Sequence, residues 1–414
     1  MISDFYPPFI GGVEVLVSSL SRQLVSRGHE VSVATLAAED LSATENDAGV
    51  RVHRIRSTTQ SVERLFATPG RPWAPPAPDP GAVAGLRRIL GSERPDVVHG
   101  HDWLARSFLP LKRHVGPRLV MSLHYFTLAC PKKSLMRDGR PCSGPGLAKC
   151  LACAGRHYGA AKGAAVVAGQ RVSARAEASL VDLFAPVSTA TAECNGLLSA
   201  GLPYVVVPNF VAAAPDPGPH EGLLRELPRE PFLLFVGDVR REKGVHVLLE
   251  AYERLASRPE LVLIGKVWPD TPGALPAGVR LLRNWPNAAV RAAMQRCLAL
   301  VAPSIWPEPF GIVVAEALAA GRPVVASAIG GIPEIVHDRR EALLVEPGDA
   351  AALASALEAI VDDGALRERL AVNARLRARA FTPEEVVPRF EAVYRTVRAT
   401  GRCARSRRAS AQAE

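Results

Sequence analysis

The feature that most constrains the fold is a repeated alternation of short apolar segments with stretches of helical periodicity. One series contains EVSVATL, VRVHRI, DVVHGH, RLVMSL, LFAPVS and YVVVPN, and a second contains PFLLFVGDV, ELVLIGKV, VRLLRN, LALVAPSI, PVVAS and ALLVE. Strands that alternate with helices form parallel sheets covered by helices on both faces. Because 414 residues exceed the size of one hydrophobic core, the sequence predicts an α/β protein with two doubly wound, Rossmann-like domains.

The segment NFVAAAPDPGPHEGLL, rich in Pro, Gly and Ala, separates the two series. We therefore place an N-terminal domain at residues 1–210 and a C-terminal domain at 211–382. Helical periodicity with a Thr cap and an early Pro predicts a last helix at 383–399, which we expect to return to the N-terminal domain. The basic tail 400–414 is expected to be disordered, and the Pro-rich stretch Thr68–Gly81 is expected to be a surface loop.

The start of the chain lacks a full first strand. Only the letters MIS precede the loop DFYPPFIGG, whereas a doubly wound domain normally opens with a buried strand of about five residues. We therefore expect the natural start to lie upstream of Met1.

The chain carries a net charge of +9, part of it in the tail GRCARSRRASAQAE. A positive charge suits an anionic ligand, an anionic membrane face or nucleic acid. We exclude nucleic acid as a partner because the sequence has neither an aromatic-plus-basic signature nor a helix-turn-helix pattern. No apolar run is long enough to cross a bilayer, and Met1 is not followed by a signal peptide. We therefore expect a cytoplasmic protein.

Two glutamates, Glu308 and Glu316, flank a glycine in PSIWPEPFGIVVAEALAAG. A helix is predicted to begin near Gly311, and the free amides of its first turn form a ready site for phosphate. Glu316 would lie one turn, ~5.4 Å, below those amides, which is about the separation of a diphosphate from the ribose of the same nucleotide. The pair would then bind hydroxyl groups on either side of a nucleotide-sugar diphosphate. Two alternatives stay open, namely surface glutamates beside a core helix and a glycosidase acid and nucleophile pair.

Three stretches carry a resemblance to a known family. The stretch around the two glutamates, with IGGIPEIV after it, resembles the EX7E signature of family 4 (group 1) retaining glycosyltransferases of GT-B fold. The opening FYPPFIGGVEVLVSSLSRQLVSRGHEVSVAT and the segment FVGDVRREKGVHVLLEAY are similar to that family's two domain openings. The resemblance spans nearly the whole chain and implies two Rossmann-like domains that face each other across a cleft.

The resemblance also implies roles for individual residues. Lys243 matches the lysine of the family's basic turn and is the implied cation for the diphosphate. Asp238 stands where the family has an arginine, and we expect Arg240 or Arg241 to substitute for it. The implied donor-binding residues are Gly11, Gly12, Arg240, Arg241, Lys243, Glu308, Phe310, Gly311, Ile312, Val313 and Glu316, and the implied catalytic residues are His124, Glu308 and Lys243.

Three histidines follow predicted strands, where α/β sheets place ligand groups. His124 aligns with the family's active-site histidine, although Tyr125 stands where an Asp is common. We expect His124 to line the reacting sugar. His99 and His101 are weaker candidates for the acceptor side of the site.

The implied activity is that of a hexosyltransferase. It would move a sugar from a UDP- or GDP-sugar to a glycan, lipid-linked or small-molecule acceptor, with retention of anomeric configuration. Electrostatic stabilisation of the leaving diphosphate would replace a catalytic metal, so no cofactor is expected for catalysis. A lipid-linked acceptor would bring the protein to an anionic membrane face. Another GT-B enzyme such as a nucleotide-sugar epimerase, and a binding homologue without turnover, stay open as alternatives.

A cysteine-rich loop at 130–153 follows His124 and resembles an insertion found in some family members. Four thiols with C-x11-C-x7-C-x2-C spacing suit a tetrahedral structural zinc, with the ligands Cys130, Cys142, Cys150 and Cys153. An iron–sulfur cluster, or thiols that are reduced or partly disulfide-bonded, are the alternatives.

Overall fold

The computed structural model describes residues 1–9, 11–38, 40–65, 74–112, 116–211 and 220–410. The chain divides into two compact units. The first contains Met1–Leu135, Ser143–Pro208 and the chain from Val386 onward, and the second contains Met136–Cys142 and Asn209–Glu385.

The first unit has an α/β architecture in which two three-stranded sets lie on either side of the N-terminal backbone. Its strands are β1 (Ser32–Leu36), β2 (Thr44–Asp47), β3 (Val50–Ile55), β4 (Val97–Gly100), β5 (Arg118–Leu123) and β8 (Leu183–Pro186). They are ordered β1-β3-β2 and β4-β5-β8, and only β2 runs antiparallel to its neighbour. Ile2 forms parallel bridges to Ala34 of β1 and to Gly100 of β4, so it occupies the first-strand position between the two sets.

Helices cover this sheet and bury its apolar side chains. They are α1 (Gly12–Ser26), α2 (Pro80–Glu93), α3 (Leu109–Lys112), α4 (Leu147–Tyr158), α5 (Ala160–Leu180), α6 (Thr189–Cys194) and α14 (Pro383–Ser410), with short 3-10 helices at Thr58–Leu65 and Trp103–Phe108. The core includes Leu86, Trp103, Phe108, Leu119 and Phe184. Burial of such side chains is the main stabilising contribution to a unit of this kind.

The second unit is built on a six-stranded sheet in the order β11-β10-β9-β12-β13-β14, and all its pairs are parallel. Its strands are β9 (Leu233–Val236), β10 (Leu261–Ile264), β11 (Val279–Leu282), β12 (Ala299–Ala302), β13 (Val324–Ser327) and β14 (Ala342–Val345). Its helices are α7 (Glu221–Leu224), α8 (Val245–Arg254), α9 (Asn287–Met294), α10 (Ile312–Ala319), α11 (Ile332–Ile335), α12 (Ala350–Asp362) and α13 (Gly364–Ala378), with 3-10 helices at Arg241–Lys243 and Arg379–Phe381. A two-stranded hairpin, β6 (Met136–Arg137) with β7 (Arg140–Pro141), completes the unit's elements.

The predicted alternation of strands and helices is confirmed, with three local corrections. YVVVPN is not a regular strand. It forms a bridge between Tyr204 and Phe184, and the amides of Val205 and Val207 donate to carbonyl oxygens of β8, but Pro203 and Pro208 have no amide hydrogen with which to extend the pairing. Helix α14 continues through Ser410 instead of ending at residue 399, since Arg and Ala in the tail are good helix formers. The described part of the Pro-rich loop is not all surface, because Ala74 and Asp79 are buried and Asp79 caps α2.

Part of the predicted linker, residues 212–219, and residues 68–73 of the Pro-rich loop lie outside the described residues. Within the described ranges, no helix combines the length and apolar character needed to cross a membrane.

Candidate active site

The order of strands in the second unit reverses between β9 and β12. The chain passes from β9 outward through β10 and β11 and then returns to β12 on the other side of β9, and such a reversal is where open α/β sheets bind ligands. The loops that follow these two strands are clamped together. The carbonyl oxygen of Glu242 accepts hydrogen bonds from the amides of Ile305 (3.1 Å) and Trp306 (3.0 Å). Gly244, at φ +74°, lies against Pro303, where a Cβ would collide with the carbonyl group.

These two loops bring a cation and a carboxylate together. Lys243 Nζ lies 2.6 Å from Glu308 Oε1, and the two side chains are 25% and 13% exposed. The ammonium group also lies 4.3 Å from the centre of the Trp306 ring, an arrangement that stabilises a cation on an aromatic face. The sequence predicted both charged residues as site residues, and the structure places them in direct contact.

A glycine pair after β13 holds Glu308 in place. The amide of Gly331 donates a 2.7 Å hydrogen bond to the Glu308 carbonyl oxygen. Gly330, at φ +58°, packs so closely on the Glu308 backbone that a Cβ would overlap it. We assigned no role to these glycines from sequence, although the IGG triplet carries the signal for a close backbone approach.

Helix α10 begins beside this pair without a side-chain cap. Its N-cap residue Gly311 has φ +98° and, as a glycine, provides no side-chain cap for the first-turn amides. Those amides are at Ile312 and Val313, which are half-buried, whereas Phe310 is buried and its ring lies 5.7 Å from that of Phe381. Since no hydrogen bond from these two amides is found among the described residues, the start of α10 offers amide donors for an anion.

Glu316 lies one turn farther along α10 and contacts α9. Its Oε1 accepts a 3.1 Å hydrogen bond from Asn287 Nδ2. Burial raises the pKa of Glu316, while the Asn287 hydrogen bond and the charge of Arg291 act to lower it. Neither α9 residue was predicted as a site residue, because only the folded structure brings α9 beside α10.

The two arginines expected to replace the missing family arginine differ in their surroundings. Arg240 lies 3.4 Å from Glu242, 4.0 Å from Asp270 and 4.9 Å from the centre of the Trp268 ring. Arg241 is exposed, and its backbone amide donates to Asp270 (2.9 Å). The substitution for Asp238 stays a prediction.

In the first unit, the predicted glycine pair forms the start of α1. Gly11 is the N-cap residue and Gly12 is the first helical residue. The Glu14 carboxylate folds back over Gly11 so closely that any Cβ at this position would overlap it. The glycine is therefore needed for this conformation of Glu14.

The three histidines lie together at the ends of β4 and β5, and all are buried. His101 Nδ1 lies 3.1 Å from His124 Nε2, while His99 bonds Tyr394 Oη and Ser122 Oγ, each at 2.8 Å. Burial lowers the pKa of all three and brings that of His124 to about 4, so the rings are neutral at pH 7. His124 Nδ1 and His101 Nε2 are buried without a hydrogen-bond partner among the described residues.

An acidic pair beside these histidines was missed by the sequence analysis. Asp4 and Asp102 share the ammonium group of Lys133, at 3.5 Å and 2.5 Å respectively. Burial and the charge of Asp102 raise the pKa of Asp4 to about 7, and Lys133 opposes that rise. The signal for Asp102 was its place directly after a buried strand, next to His101.

The predicted zinc ligands of the cysteine-rich loop fall in both units, with Cys142 in the second and the other three cysteines in the first. Cys130 is buried, Cys150 and Cys153 lie on α4, and all of these are free thiols. Within the described ranges, no three His, Cys, Asp or Glu side chains are grouped so that they could hold a metal ion. The structural zinc at these cysteines stays a prediction.

Two family models match the chain. The model for glycosyl transferases group 1 matches residues 224–377, and the model for a glycosyl transferase 4-like domain matches residues 11–209. The glycogen synthase of Mycobacterium tuberculosis is 31% identical over 91% of this chain and 89% of its own length. The D-inositol 3-phosphate glycosyltransferase of Xylanimonas cellulosilytica is 31% identical over 93% of this chain and 91% of its own length.

Solved structures with a similar fold include the sucrose-phosphate synthase from Thermosynechococcus elongatus. Its TM-score is 0.73 at 21% identity, covering 96% of this chain and 99% of that one. The Anabaena HepE protein, solved in complex with UDP-glucose, has a TM-score of 0.67 at 16% identity, covering 95% of this chain and 99% of that one.

Proposed function

This chain belongs to family 4 (group 1) of the glycosyltransferases and has their two-domain GT-B fold, and we propose that it is a retaining hexosyltransferase that uses a UDP- or GDP-sugar. The observation that carries the proposal is the Lys243–Glu308 contact beside the uncapped start of α10. A cation, free amides and two carboxylates at one crevice match the mixed charge of a nucleotide-sugar.

The proposed donor site divides the nucleotide-sugar among these groups. The amides of Ile312 and Val313 and the positive end of the α10 dipole bind the diphosphate, and Lys243 neutralises its charge. Glu316 accepts hydrogen bonds from ribose hydroxyls, and Glu308 accepts them from sugar hydroxyls. A carboxylate so close to a diphosphate is tolerated only with such donors and cations around it.

The reaction follows from where charge develops. As the bond from the sugar to the diphosphate breaks, negative charge grows on the leaving phosphate oxygen, which Lys243 and the helix amides stabilise. The sugar gains oxocarbenium character, and the leaving diphosphate accepts the acceptor's proton on the same face, which gives retention of configuration. His124, neutral at pH 7 because burial lowers its pKa to about 4, lines the reacting sugar as a hydrogen-bonding group.

Nucleotide-sugar binding is tested by a thermal-shift screen. A ligand that binds only the folded state raises its stability, by about 2.7 kcal/mol at 100 times Kd. We expect one of UDP-glucose, UDP-galactose and GDP-mannose to raise Tm, and Glu316→Ala to abolish the shift. Glu250→Ala, at an exposed position on α8, is the matched control and should keep it. A wild-type protein that none of these compounds stabilises would contradict the proposal.

Association with an anionic membrane is the second part of the proposal, and the net charge of +9 supports it. We expect the protein to pellet with phosphatidylglycerol vesicles at low salt but not with phosphatidylcholine vesicles, and to be released as salt screens the charges. Equal pelleting with both vesicle types, or with neither, would contradict a charge-driven association.

A further inference from the structure

Helix α9 places two polar side chains against Glu316. Asn287 is its first residue and Arg291 follows four positions later, so the two share a helix face. Asn287 Nδ2 donates a 3.1 Å hydrogen bond to Glu316 Oε1. The Arg291 side chain is largely buried, and its charge acts on Glu316 in the direction that favours the ionised carboxylate.

This arrangement answers two physical problems of a partly buried carboxylate. Desolvation favours the neutral acid, which is a weaker acceptor than the carboxylate because one of its oxygens carries a proton. A free glutamate side chain also samples several rotamers, and ordering it costs conformational entropy when ligand binds. The amide on one oxygen and the positive charge nearby oppose the first effect, and the directional hydrogen bond from Asn287 reduces the second.

The Asn287 hydrogen bond engages Oε1, and within the described ranges no donor is found on Oε2. Oε2 therefore keeps both of its acceptor sites for a ligand, while Oε1 keeps one. A vicinal diol presents two adjacent hydroxyl donors, and ribose has such a diol at O2′ and O3′, whereas 2′-deoxyribose has a single hydroxyl.

We propose that Asn287 is a positioning residue for Glu316 and gives the donor site its preference for ribonucleotides over 2′-deoxyribonucleotides. The inference rests on the proposed function, because it takes Glu316 as the ribose-binding carboxylate. It adds a residue on α9 and a specificity to that site.

The test measures the affinity of the full chain for UDP, GDP and their 2′-deoxy forms by isothermal titration calorimetry. We expect the wild type to bind the better ribonucleotide at least about 10-fold more tightly than its deoxy form, the loss typical of one hydrogen bond to a charged group. Asn287→Ala should weaken ribonucleotide binding about 10-fold and change deoxyribonucleotide binding less than about 2-fold. A merely structural role for Asn287 would weaken both nucleotides equally.

Asn373→Ala is the matched control, because Asn373 also donates from its side-chain amide, to the Arg340 carbonyl oxygen at 2.8 Å, but has no hydrogen bond to Glu316 among the described contacts. It should retain the wild-type ribose preference. Asn287→Asp, which places a second carboxylate beside Glu316, should lose the preference as Asn287→Ala does. A ribose preference that survives Asn287→Ala overturns the inference alone. A wild-type protein that binds none of the four nucleotides overturns the proposed function and the inference with it.

Discussion

Replacing Lys243 by methionine is expected to lower kcat about 100- to 1,000-fold, the usual effect of removing one preorganised group that stabilises a leaving oxyanion. Methionine keeps the length and apolar stem of the side chain, so its packing on Trp306, 4.3 Å from Nζ, is largely retained. The measurement is the release of nucleoside diphosphate from the donor that gives the largest thermal shift.

The control for this variant is Lys266→Met. Lys266 follows the neighbouring strand β10, and its ammonium group lies 4.8 Å from the Trp268 ring. Because Lys266 has no ion pair with Glu308 among the described contacts, its loss should change kcat less than about 3-fold. If Lys243→Met keeps wild-type kcat, the assignment of Lys243 to the leaving group is wrong, whatever its effect on binding.

The parts of this protein that could be predicted from sequence are those fixed by local chemistry. Alternating apolar segments specify the strands. The glycine at position 311 predicts both the turn that precedes α10 and the open amides of the residues that follow it. The charged residues Lys243 and Glu308 were predicted from their places after buried strands and from family resemblance. Their 2.6 Å contact could not be predicted, because it depends on β9 and β12 being neighbours in the sheet. No local sequence pattern gives that strand order.

The remaining site residues could not be predicted because their partners are distant in sequence. Asp4 reaches Lys133 and Asp102 only because the Ile2 backbone lies between β1 and β4. Likewise, Asn287 and Glu316 are brought together by the packing of α9 against α10. A single asparagine or aspartate carries no periodic signal of its own, so its role appears only with its neighbours.

Replacing Arg106 by methionine is expected to lower the free energy of unfolding of the first unit by about 3–5 kcal/mol, because it leaves a buried carboxylate without its counter-ion. Arg106 and Glu177 are 0% and 3% exposed and are joined by two hydrogen bonds, of 2.9 and 3.1 Å. The guanidinium group also donates to the carbonyl oxygens of Pro76 (2.8 Å) and Thr127 (3.0 Å). One side chain therefore connects α5 to two loops. Urea unfolding followed by tryptophan fluorescence measures the change, since Trp103 lies 5.4 Å from the guanidinium carbon.

Two further variants separate charge burial from the loss of packing. Arg22→Met breaks an ion pair with Asp47 in which the arginine is 49% exposed, and it should cost no more than about 1 kcal/mol.

Arg106→Met combined with Glu177→Leu removes both buried charges and should recover much of the lost stability. The carbonyl groups of Pro76 and Thr127 stay without this donor, which limits the recovery. If the double variant is as unstable as Arg106→Met alone, the carbonyl contacts stabilise the unit more than the ion pair does. The guanidinium group would then act chiefly as a hydrogen-bond bridge between the loops and α5.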